Sequence, residues 1–256
     1  MKKMTPVMLQ HYFRLFYRSL LFLCMLFGFI AVHVFYPERT VISIFDDRPL
    51  IVSLIWIVFT LEMLQRFFPS PTESPGCQKQ FSKYYIKSGN TQIRIQDNNA
   101  TMLVALLWIL FNAFFGALYM NGLLDDDFML LLCCAYSVCD MICILFFCPF
   151  QTWFFKNKCC VACRIYNWDY AMMFTPLFFV RRIYSYTLLT LALGLLLRWE
   201  ITFYLHPERF SPDTNDYLQC SRCTEKLCRH KKQFHSLWQA IDAYTRARID
   251  RLRKSK

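Results

Sequence analysis

The stretch that decides the fold is Thr101 to Met120, TMLVALLWILFNAFFGALYM, which contains no charged residue. An α-helix of this length rises about 30 Å, which matches the hydrocarbon core of a bilayer. The stretch therefore predicts a transmembrane helix.

The rest of the chain has the same character. Hydrophobic residues make up 56% and aromatic residues 18% of it, with 26 Phe against 6 Gly, and the apolar residues fall in long blocks. The formal charge of +11 comes from Lys and Arg between and after these blocks, in no module that reads a nucleic-acid groove. We expect these cations to set topology and to contact anionic lipid headgroups, and we expect no nucleic-acid partner.

Four other apolar blocks accompany the first: residues 20–36, 50–68, 128–155 and a divided block at 171–205. They predict an all-α, multi-pass helical bundle of four to six membrane segments within residues 1–205. Block 20–36 ends without an A-x-A-like cleavage site, so we interpret it as a retained helix and not as a signal peptide. The alternating residues 84–96, around the Ser88-Gly89-Asn90 turn signal, predict a β-hairpin at the membrane surface.

Basic residues in short loops predict the orientation. Segments 1–19, 66–100 and 156–164 are basic, whereas 121–127 contains no basic residue, so the N-terminus and the basic loops are expected in the cytosol. One crossing by block 171–205, which Arg181 and Arg182 divide, would place the basic tail outside. A tight or re-entrant pair around Pro176, or packing at the interface, would keep the tail inside, as we expect.

The tail, residues 206–256, combines a cysteine cluster with a basic helix at 233–256. One face of that helix carries apolar side chains and the others carry arginines. This pattern is typical of an amphipathic helix that lies on anionic headgroups, although a solvated terminal helix fits equally well.

The chain contains 13 cysteines, of which Cys160-x-x-Cys163 and Cys220-x-x-Cys223 form the strongest motif. A CxxC pair brings two thiolates to one ion, and two pairs complete a tetrahedral S₄ site for zinc or an iron–sulfur cluster. An iron–sulfur cluster would imply membrane-associated electron transfer to a redox partner protein. The predicted metal ligands are Cys160, Cys163, Cys220 and Cys223, then Cys228 and Cys148; His206, His230 and His235 are interpreted as surface residues, with His230 the best substitute ligand.

Two other interpretations of the cysteines stay open. In one they are reduced and without a metal, and in the other the CxxC pairs are redox-active dithiols of a membrane enzyme. The sequence contains no GxGxxG, GxxxxGK[ST], GxSxG or HExxH motif, so it leaves open whether the chain is an enzyme.

Charged residues within the apolar blocks suggest a second class of function. Asp140, Glu62 and Arg198 are costly in a bilayer unless each faces a partner or a water-filled cavity. A transporter or channel would use Asp140 and Arg198 along a polar path. The alternative is a structural ion pair of Asp140 with Arg198 or Arg182.

Three further residues are expected at the membrane interface. Arg164, Trp168 and Asp169 lie between the first CxxC motif and block 171–205. Trp and charged side chains suit the headgroup region, so we interpret all three as interface anchors.

Overall fold

A computed structural model describes residues 5–35, 39–90, 92–93, 98–155, 159–223 and 225. This part of the chain is helical and contains no β-strand. Its α-helices are α1 (Pro6–Phe35), α2 (Val41–Asp46), α3 (Pro49–Gln65), α4 (Pro75–Gln78), α5 (Asn98–Met120), α6 (Asp126–Leu145), α7 (Asp169–Phe174) and α8 (Ile183–Leu205).

Shorter helical turns complete the set. They are 3₁₀ turns at Ser82–Tyr84, Tyr166–Trp168, Thr175–Phe178, Pro207–Arg209 and Asp216–Leu218, and a π turn at Phe150–Phe154. Helices α1, α5, α6 and α8 are each long and apolar enough to cross a membrane, and the apolar α3 has 17 residues. The predicted all-α, multi-pass architecture is confirmed at this level.

Helix α1 begins well before the predicted block at residue 20. The Thr5 hydroxyl accepts a hydrogen bond from the Met8 N–H at 3.3 Å, and Pro6 occupies the first helical position, where its missing N–H costs nothing. The helix therefore contains Arg14 and Arg18, which the sequence pattern placed in a cytosolic segment.

The predicted block 128–155 is also corrected. Helix α6 ends at Leu145, and Pro149 precedes the separate π turn Phe150–Phe154. Proline lacks the N–H that a continuing helix needs, so Pro149 prevents α6 from continuing through the predicted block.

The divided block forms two antiparallel segments. Helix α7 and the following 3₁₀ turn begin at Asp169, which contacts Arg66 at the end of α3. They end near Tyr119 at the far end of α5, whose ring lies 5.7 Å from that of Phe179. Arg182 then binds Asp46 at 2.7 Å, and α8 runs back. Block 171–205 is thus two helical segments that run in opposite directions within the bundle, with the reversal between Phe178 and Ile183. The expected re-entrant arrangement in the membrane stays a prediction.

Four segments meet at one end of the bundle, which we call the loop end: the start of α1 and residues 66–90, 159–168 and 206–223. Gln10 donates to Glu73 at 3.2 Å, and Arg209 donates to the Gln80 carbonyl at 3.1 Å. The start of α1 and the described part of the tail therefore lie at the same end.

The β-hairpin prediction is wrong for the residues that the structure describes. Lys87 forms an isolated antiparallel bridge with Asn215, and Ser88 donates to the Asp213 carbonyl, so this segment pairs with the tail. Residues 91 and 94–97 of the predicted hairpin lie outside the described residues. The predicted amphipathic helix 233–256, Cys228, His230 and His235 also lie outside them.

At the opposite end, α6 holds the short helix α2. The Asp127 carboxylate accepts from the N–H of Val41 at 2.6 Å and of Ile42 at 2.9 Å, and Asp127 has no exposed surface. These N–H groups open α2 and have no partner within it, so Asp127 acts as a cap from another helix.

Candidate functional site

Seven charged side chains meet inside the bundle towards the loop end, and we call them the ionic layer. They come from α1, from α3 and the chain that follows it, from α6 and from α7. The members are Arg14, Arg18, Glu62, Arg66, Glu73, Asp140 and Asp169.

Arg18 is the centre of this layer and is fully buried. Its guanidinium lies 2.9 Å from the Glu62 carboxylate on α3 and 3.0 Å from the Asp140 carboxylate on α6. It also donates to the Ser137 carbonyl and the Tyr170 hydroxyl, both at 3.4 Å. The N–H donors of the Arg18 guanidinium therefore connect α1 to α3, α6 and α7.

Arg14, one turn earlier on α1, binds Glu62 and Glu73, each at 2.8 Å. The Glu62 carboxylate thus lies between two guanidinium groups. Burial alone would raise the pKa of the Glu73 carboxyl, but the charges of Arg14 and Arg66 outweigh burial and hold the pKa below its usual value. Glu73 is therefore ionised at neutral pH.

Arg66 extends the layer to α7. It lies 2.7 Å from the Asp169 carboxylate and 4.5 Å from the centre of the Tyr170 ring. The Tyr170 hydroxyl in turn donates to Glu62 at 2.9 Å. Tyr170 therefore connects the pair at α7 with the pairs at α1 and α3.

The charges of the ionic layer do not balance within the part of the chain that the structure describes. Its three arginines face four carboxylates, so the fully ionised set of described residues carries one excess negative charge. An uncompensated charge in a medium of low polarity costs several kcal/mol. A proton or another cation bound at the layer would remove that excess.

A cavity of about 290 Å³ adjoins the layer beside Asp140. Asp140 and Asp169 lie on its wall, and the Asp140 side chain is 15% exposed, against 0% for its partner Arg18. Asp140 is therefore a point at which the buried charges meet open space.

Aromatic and apolar side chains form most of the cavity wall. Trp108 on α5 and Tyr136 on α6 pack with their rings 4.6 Å apart, and Tyr166 lies on the loop side. Ligand cavities usually measure about 300–1,000 Å³, so this one suits a small molecule.

Arg198 and Arg182 lie elsewhere. Arg198 donates to the Phe67 carbonyl at 2.5 Å, and Arg182 binds Asp46. The proposed pairing of Asp140 with either arginine is therefore wrong, because Arg18 occupies that position. A polar path that joins Asp140 to Arg198 is not seen in the described residues.

Half of the predicted metal ligands share one place. Cys148, Cys160 and Cys163 all line the cavity, and Gln151 contacts two of them, through Cys148 Sγ at 3.4 Å and Cys160 Sγ at 2.9 Å. Cys220 is exposed and lies outside the cavity wall.

Metal binding itself is not supported by this arrangement. Within the described ranges, no three His, Cys, Asp or Glu side chains are grouped as a metal site would require. The four-cysteine site therefore stays a prediction.

The three predicted interface residues have protein partners. Arg164 pairs with Glu200 on α8, and Trp168 donates to the same carboxylate at 2.7 Å. Asp169 belongs to the ionic layer through Arg66. All three hold residues 164–169 against the bundle, and their expected contact with headgroups stays a prediction.

Sequence reasoning missed Arg14, Arg18, Arg66, Glu73 and Lys79. The available signal was the four-residue spacing of Arg14 and Arg18, which places both on one face of a helix that begins at Pro6. Lys79 carries no comparable signal. Burial lowers its pKa to about 7.

The fold and the ionic layer define a helical, multi-pass class of protein. No protein-family model, no curated protein and no solved structure matches the chain.

Proposed function

We propose that this chain is a membrane carrier for a small lipophilic organic cation, which binds in the cavity beside Asp140. One observation carries the proposal: an ionic layer with an excess negative charge meets an aromatic cavity at Asp140. Charged groups inside apolar bundles are the usual mark of a substrate or ion path.

The cavity wall has the chemistry that organic cations prefer. Trp108 and Tyr136 line the cavity, and aromatic rings attract positive charge, while the apolar remainder would take up the body of the ligand. The Asp140 carboxylate supplies the counter-charge. A neutral molecule of the same shape would gain the apolar contact only.

The pairing with Arg18 gives a route from binding to movement. A cation at Asp140 competes with Arg18, which then keeps Glu62 on α3 as its partner. Ligand binding would therefore weaken one contact between α1 and α6 and leave α1 attached to α3. A proton on Asp140 competes for the same charge, so proton and cation would exclude each other.

Benzyltrimethylammonium is a suitable probe, with neopentylbenzene as its neutral isostere. We expect the purified protein to bind the cation at least about tenfold more tightly than Asp140→Asn does, a difference of about 1.4 kcal/mol. The matched control Asp47→Asn changes an exposed carboxylate at the opposite end and should bind normally. Equal binding by Asp140→Asn, or equal binding of the neutral isostere, would overturn the proposal.

Flux separates a carrier from a receptor. Proteoliposomes with an acidic interior that hold the wild-type chain should accumulate the labelled cation, because protons that leave down their gradient drive the exchange. Proteoliposomes with Asp140→Asn should not accumulate it. Binding without any flux would overturn the carrier mechanism while keeping the site.

A second candidate function uses the cysteines. Cys148, Cys160 and Cys163 border one cavity but form no metal-site group within the described residues. A cysteine-ligated zinc or iron–sulfur centre, with electron transfer to a redox partner if iron is present, would need further ligands from the tail. Anaerobic purification followed by assays of zinc, iron, sulfide and visible absorption tests it. A metal-free, colourless protein with all thiols titratable would refute it.

We also propose that the loop end faces the cytosol, with the tail on anionic headgroups. Among the described residues, Lys83, Lys87 and Arg209 lie at this end, whereas the acidic turn 121–127 lies at the other end together with Arg181 and Arg182. The proposal therefore rests mainly on the basic residues of the sequence segments 1–19, 66–100 and 156–164. In intact cells, a membrane-impermeant maleimide should label a cysteine introduced at Gly122 and should not label Cys220. The reverse pattern would invert the topology.

A further inference from the structure

A buried lysine holds the first CxxC motif in place. Lys79 follows α4 and is fully buried, and its ammonium donates to the carbonyls of Val161 at 2.9 Å and Cys163 at 2.8 Å. The same ammonium lies 5.2 Å from the centre of the Trp199 ring. Lys79 therefore fixes the backbone of the motif against α8.

The motif itself forms a tight turn. The Cys163 N–H donates to the Cys160 carbonyl at 2.9 Å, which closes the four residues on themselves. A β-turn keeps the Cα atoms of its first and fourth residues within about 7 Å, close to the span of about 4.4–6.8 Å that a disulfide bridges.

The two thiols differ in access. Cys163 is 8% exposed, whereas Cys160 is half-buried and donates to the Gln151 side chain. Both residues line the cavity. One thiol can thus meet a molecule in the cavity, and the second lies behind it.

Contacts from two sides fix the turn. The Lys79 ammonium binds the carbonyls of Val161 and Cys163, and the Cys160 thiol donates to the Gln151 side chain at 2.9 Å. The thiolate is the nucleophile in disulfide exchange. In the cytosol such a pair is kept reduced and serves in exchange, not as a structural bridge.

We infer that Cys160 and Cys163 form a redox-active dithiol that reduces small disulfides entering the cavity. The Cys160 thiolate attacks one sulfur of the substrate, forms a mixed disulfide and releases the first thiolate. The Cys163 thiolate then attacks the Cys160 sulfur, closes the protein disulfide and releases the second thiolate. The substrate gains two electrons and two protons, and the protein dithiol loses them.

This inference does not depend on cation binding at Asp140. The carrier proposal fails when Asp140→Asn binds the cation normally, whereas the dithiol proposal is decided by cysteine chemistry. Either result leaves the other open.

The first test uses bis(2-hydroxyethyl) disulfide on the reduced full-length protein in detergent. Trypsin releases residues 159–164 between Lys158 and Arg164, so mass spectrometry can locate the product. We expect a Cys160–Cys163 disulfide in the wild type and a trapped mixed disulfide on Cys160 in Cys163→Ser. No internal disulfide, or an equal mixed disulfide at the exposed Cys220, would overturn the inference.

The second test measures the role of Lys79. In Lys79→Gln, the Cys160–Cys163 disulfide should form at a lower rate with the same reagent, because the turn loses the two hydrogen bonds that hold the carbonyls of Val161 and Cys163. Lys83→Gln removes an exposed lysine nearby and should leave the rate unchanged. An unchanged rate in Lys79→Gln would contradict the assigned role; if that variant does not fold, the trapping experiment alone decides.

Discussion

Removing the centre of the ionic layer should destabilise the whole bundle. Arg18→Met keeps an unbranched apolar side chain of similar length but deletes the guanidinium that binds Glu62 and Asp140. Glu62 keeps its 2.8 Å contact with Arg14, whereas Asp140 loses the ion pair with α1. The main cost is therefore one buried carboxylate without a counter-charge.

The magnitude follows from that count. Breaking one buried ion pair costs about 3–5 kcal/mol. By the scaling for domains of 150–250 residues, each kcal/mol lowers Tm by about 2–4 °C, so Arg18→Met should melt roughly 6–20 °C below the wild type. The double variant Arg18→Met/Asp140→Leu removes the stranded charge and should recover more than half of the loss.

Thermal unfolding in detergent, followed by the fluorescence of the 6 Trp residues, measures these shifts. Arg181→Met removes an exposed arginine and is the matched control, with an expected change within about 0.5 kcal/mol. Two results would refute the reasoning: Arg18→Met melting within about 2 °C of the wild type, or a double variant no more stable than the single one.

Three further changes test other parts of the fold. In Gly116→Ala the new Cβ would lie 2.3 Å from the Phe179 ring, so thermal unfolding should show a loss of about 1–3 kcal/mol in stability. Gly194→Ala is the control, because its new Cβ would lie 3.7 Å from the Phe67 ring, and equal Tm values for the two variants would contradict this packing. The Glu73 carboxyl has a pKa below its ordinary 4.5, so its contribution to stability is complete above about pH 4.5 and is lost as the pH falls through the lower pKa of the folded state. In Glu73→Gln, Tm should therefore fall less steeply with decreasing pH in the acid range. An unchanged acid dependence of Tm would argue against the pairing of Glu73 with Arg14. Asp127→Ala should cost about 1–3 kcal/mol and speed hydrogen exchange at the two N–H groups that open α2, and unchanged exchange there would exclude the cap.

The membrane blocks were predictable because hydropathy is a local property. Residues 101–120 carry no charge, and the structure extends them by only one turn, to Asn98–Met120. The break after α6 was marked by Pro149 alone. Its position within an apolar run concealed it, because a run of hydrophobic residues gives no period of its own.

The ionic layer could not be predicted, because its partners are far apart in sequence. Arg18 and Asp140 are separated by 122 positions, and only the packed bundle brings them within 3.0 Å. In sequence Arg14 and Arg18 resemble the loop cations that set topology. What distinguishes them is burial between three helices, which depends on the tertiary structure.

The cysteines show the same limit of sequence spacing, and the metal site predicted from them stays a prediction. Spacing identifies Cys160 and Cys163 as neighbours on one turn, since four residues suffice to define it. Spacing does not show which distant cysteine completes a group. The fold brings Cys148 to the same cavity and leaves Cys220 outside it.

The long separation between Arg18 and Asp140 has a consequence for synthesis. The two arginines of α1 make insertion of this helix into the bilayer less favourable, since each costs about 2.5–3.5 kcal/mol at the helix centre. Glu62 emerges from the ribosome soon after α1, but Asp140 follows Arg18 by 122 residues, or about 6–24 s at 5–20 residues per second. During that interval α1 has only part of its final environment. Helix α1 is therefore synthesised well before α6 but reaches its final environment only when α6 has been made.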